Sequence, residues 1–86
     1  MRKIVEEVDG EGLESFLGRR ITLLCMNYIY TGRLIGMNAT CVLLEDAAIV
    51  YETGPWAEKA YKDAQPLPSR LYVQLAAIES FGPLKG

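Results

Sequence analysis

The chain contains no histidine, only two cysteines and one tryptophan, and no surplus of basic residues. Each shortage removes a class of function. Without histidine, the usual general base of serine and cysteine nucleophiles is missing, and so is the commonest transition-metal ligand. Hydrolytic and zinc chemistry fall away together. Cys25 and Cys41 lie inside apolar runs with no second cysteine pair to complete a zinc site, and the charged start Met1-Arg2-Lys3 leads into no apolar stretch of a signal peptide. Both are expected to be reduced core thiols in a cytoplasmic protein. The longest uncharged runs carry Thr, Asn and Gly, which predicts no membrane-spanning helix. Nine Lys and Arg against eleven Asp and Glu give a net charge of −2. A chain of that balance does not coat phosphate backbones, so a nucleic-acid role requires a small local site.

What the sequence does have is apolar residues, 50% of 86. That composition predicts one folded domain spanning 1–86. A chain of this size buries only about 60% of its unfolded surface, so its core is marginal and self-association would complete it.

Residues 1–12, with Gly10 and Gly12, read as an arm and a turn. Leu13, Phe16 and Leu17 follow at helical spacing, so one short helical turn can bury all three together before Gly18 stops it. Ile21 to Cys25 and Ile29 to Ile35 are β-rich runs separated by a short break, which predicts a hairpin. After a second break at Gly36 to Thr40 comes the longest apolar run, Cys41 to Tyr51. Glu45-Asp46 in its middle predicts a bend or bulge. Neighbouring strand residues point to opposite faces, so these two carboxylates cannot act as a catalytic pair. Residues 53–69 read as an insert: Pro55 suits a helix start, while Trp56, Ala57, Ala60, Tyr61 and Ala64 recur at helical spacing. Leu71 to Leu75 and Ile78 to Phe81 then predict two short strands kinked at Ala76-Ala77. Five short strands with few free edges favour a small, strongly bent barrel of mainly β class.

The residues that carry a family pattern are Gly18, Ile21, Leu23 and Cys25, then Tyr30-x-Gly32-x-Leu34-x-Gly36, then Leu44-Glu45-Asp46-Ala47. Over residues 13–52 they resemble the first motif of the Sm-like proteins, in a divergent bacterial or phage-type form. Tyr72 to Phe81 resembles the second motif more weakly, with Gln74 and Leu75 where the family often has Arg-Gly. The resemblance implies a five-stranded Sm-like, SH3-like barrel with an N-terminal helix. It also implies a homo-oligomeric ring of about five to seven subunits, each strand edge closed by a neighbour. Single-stranded RNA or DNA would bind along the inner rim. Carried over by position, the nucleic-acid-binding candidates are Asn38, Thr40, Arg70 and Gln74. Ala39 and Thr40 occupy the place of the family's stacking side chain, and neither offers an aromatic face.

Plainer roles compete at each position. Tyr30 and Gly32 suit packing and a bend, Asn38 suits a turn, and Arg19-Arg20 suits a solvated edge as well as a phosphate contact. Trp56 and Tyr61 either pin the insert to the barrel or offer a protein partner a docking patch. No acid, base and nucleophile converge, so an enzyme is not expected, nor any cofactor or metal. The remaining expectation is a weak, ring-summed contact with a single strand, with a protein-binding scaffold as its rival.

Overall fold

The computed structural model describes Ile4, residues 12–57 and residues 60–84. Most of the 1–12 arm and residues 58 and 59 of the insert lie outside that set. The described chain is mainly β, with strands β1 (Arg20–Cys25), β2 (Ile29–Met37), β3 (Cys41–Glu52), β4 (Asp63–Pro66), β5 (Leu71–Gln74) and β6 (Ile78–Pro83). They form one antiparallel sheet in the order β4-β3-β2-β1-β6, while β5 pairs with the first half of β3.

The predicted hairpin is β1–β2, in register from Arg20 opposite Arg33 to Leu24 opposite Ile29. The bulge is also where the sequence puts it. Arg33 faces Glu45 but Thr31 faces Ala48, so one extra residue of β3 is accommodated there, and Asp46 takes a φ of 50°. Asp is among the few residues that tolerate this left-handed backbone. Across from the bulge stands Gly32, where a Cβ would meet the Glu45 carbonyl oxygen at 3.1 Å and the Ala47 Cα at 3.2 Å. A Cβ there would press on the β3 backbone more tightly than ordinary contact, so glycine lets β3 approach β2 closely at the bulge.

Inside the curve lie Ile21, Leu23, Leu34, Val42, Leu44, Ala47 and Val73, with Tyr30, Cys25, Leu71 and Ile78 packed around them. The kink at Ala76-Ala77 is a 3-10 turn over Leu75–Ala77, which carries the chain from β5 into β6. Among the described residues, β5 pairs only with β3 and β6 only with β1. The expected barrel therefore stays an open curved sheet, with strand edges unpaired on both sides.

Three expectations need correction. The N-terminal α-helix is a single 3-10 turn, Leu13–Phe16. Gly18, at a φ of 84°, stops the segment within its first turn, too short to offset helix nucleation. Leu13 and Phe16 reach the core but Leu17 stays exposed. The insert forms no helix among its described residues. It leaves β3 through Gly54 at a φ of 68° and returns as β4, pairing Ala64 with Val50 and Pro66 with Ala48. Backbone pairing to the far half of β3 outweighs the alanine spacing. Cys41 is not a core residue: it is half-exposed, on the opposite face of β3 from the buried Val42.

Candidate nucleic-acid interface

Four sequence candidates were to meet at one rim, and three do. The turn between β2 and β3 is tied by Asn38, whose Oδ1 accepts from the Thr40 backbone N–H at 2.8 Å, the Cys41 N–H at 3.0 Å and the Thr40 hydroxyl at 3.1 Å. The turn role thus occupies the acceptor of Asn38, leaving its Nδ2 donors for any ligand. The next contact crosses to the β5–β6 connection, where the Leu75 N–H donates to the Thr40 carbonyl at 2.8 Å. Gln74 faces Cys41 across the β3–β5 ladder. Asn38, Thr40 and Gln74 therefore share one end of the sheet. Beside them opens a recess of about 400 Å³ lined by Glu14, Met37, Asn38, Ala39 and Leu75.

Arg70 does not join them. It precedes β5, four extended residues or about 13 Å from Gln74, and its guanidinium lies 3.9 Å from Glu45. Glu45 also meets Arg33 at 3.7 Å. The extended strand separates the ends of β5, so the arginine braces the bulge instead of the rim.

The structure supplies an aromatic that position matching missed. Tyr72, 69% exposed, faces Leu43 across the ladder and shares a recess of about 140 Å³ with Asn38 and Cys41. The signal was the alternation itself: with Val73 buried, Tyr72 and Gln74 must both face outward. A ring face, an amide and a hydroxyl thus lie on one surface, a combination suited to stacking and edge contact with an unpaired base.

A second recess, about 200 Å³, follows the seam between β5 and the β1–β2 turn, lined by Cys25, Tyr28, Tyr30, Tyr72 and Gln74 among others. Burial raises the Cys25 thiol above its ordinary value. Burial, then the neighbouring Cys25, Tyr28 and Tyr51, does the same to the Tyr30 phenol. Both groups are held neutral at physiological pH, which suits packing and not nucleophilic attack.

Among the described residues, no three His, Cys, Asp or Glu side chains converge as a metal site, and no helix is long and apolar enough to cross a membrane. No protein-family model matches the chain, and no curated protein does.

Proposed function

We propose that this protein is an Sm-like ring former that binds single-stranded RNA or DNA weakly at its inner rim, without catalysis. The observation that carries the reading is the open, bent antiparallel sheet whose β5 and β6 outer edges have no partner among the described residues and are joined by one 3-10 turn. Pairing β5 of one subunit with β6 of the next would satisfy both edges at once and repeat around an axis until the ring closes. The surface bearing Asn38, Thr40, Tyr72 and Gln74 would then recur in every subunit, so weak contacts would add along one strand. Tyr72 would stack a base and Gln74 and Asn38 would contact its edge.

Fluorescence anisotropy with U-rich, A-rich and mixed oligonucleotides tests the reading. The assembled protein is expected to bind at tens of micromolar or tighter, with Tyr72→Ala weaker than Arg70→Ala. Absence of binding to all three oligonucleotides would remove it.

One observation favours the rival reading, a scaffold that binds a protein through the insert. Trp56 is 55% exposed while its ring meets Tyr61 edge-on at 6.1 Å, so an aromatic surface is held in place by the fold. Under that reading Trp56→Ala abolishes capture of a protein partner and leaves oligonucleotide binding absent throughout.

A further inference from the structure

We draw no further inference here: the strongest candidate, the recess lined by Cys25, Tyr28, Tyr30 and Tyr72 between β5 and the β1–β2 turn, lies along the β5 edge that the proposed contact between copies would fill, and nothing in the structure shows another occupant.

Discussion

The outer face of the sheet changes character at the bulge. On one side, Thr22, Thr31, Ala48 and Pro66 form a row across four strands, each directly opposite the next; Pro66 belongs to the insert, whose Tyr61 bonds Thr22, and Thr22 and Thr31 are buried. On the other side, Arg20, Arg33 and Glu45 form the adjacent row, and beyond it Leu43 stands beside the exposed Tyr72. Small uncharged residues occupy the half that the chain covers with its own strap, and charged or aromatic ones occupy the half it leaves bare. A strap can approach a sheet only where the side chains beneath it are short and need no water. A bare face with an aromatic and polar groups is suited to a ligand instead.

The largest effect should come from the residue that sets the boundary. Gly32→Val is expected to cost about 3 kcal/mol, because the new side chain meets backbone on β3. At Gly36 a Cβ would sit 3.8 Å from the Leu43 side chain, ordinary contact, so Gly36→Ala should stay within about 1 kcal/mol. Urea denaturation of both variants checks the pair, and equal losses would mean that the bulge does not depend on Gly32.

Both thiols are half-buried, but only Cys25 packs against the core. Cys25 packs against the core, where burial raises its thiol, whereas Cys41 is half-exposed beside Gln74. Cys41 should react with a disulfide reagent about tenfold faster or more at neutral pH, since the thiolate is the reacting form. The labelling profile of Cys25 should rise only at pH above that of an ordinary thiol. Single Cys→Ser variants assign the rates, and comparable rates would contradict the placement.

A smaller effect tests the strap. Thr22→Val and Tyr61→Phe, with their double variant, should give a coupling energy of about 1 kcal/mol, typical of one hydrogen bond. Each should also shift Trp56 emission, because Tyr61 holds that ring edge-on. Independent effects of the two changes would show that the strap is held elsewhere.

Much of this architecture could be read from the sequence, for reasons that are local. The hairpin followed from β-rich runs on either side of a short break, the bulge from two acids in an apolar run, and the kink from Ala76-Ala77 between strand-like segments. The insert could not be read in this way. Its alanine and aromatic spacing looks helical, but the pairing of Ala64 and Pro66 with β3 is a long-range contact that periodicity does not encode. At the rim, turn chemistry put Asn38 and Thr40 together, and the register of β5 against β3 brought Gln74 to them. Arg70 was carried to the rim by its place in the family pattern, but it stands at the far end of β5 from Gln74 and meets Glu45 instead. Tyr72 was missed because matching proceeded by position in a family pattern, while the burial of Val73 decides which way Tyr72 points.

The central claim is that the unpaired edges of β5 and β6 complete one another between copies. Light scattering on the purified protein in solution measures this directly. The account predicts a single closed species of about five to seven times the 9.6 kDa chain mass. A monodisperse 9.6 kDa monomer at tens of micromolar would contradict it.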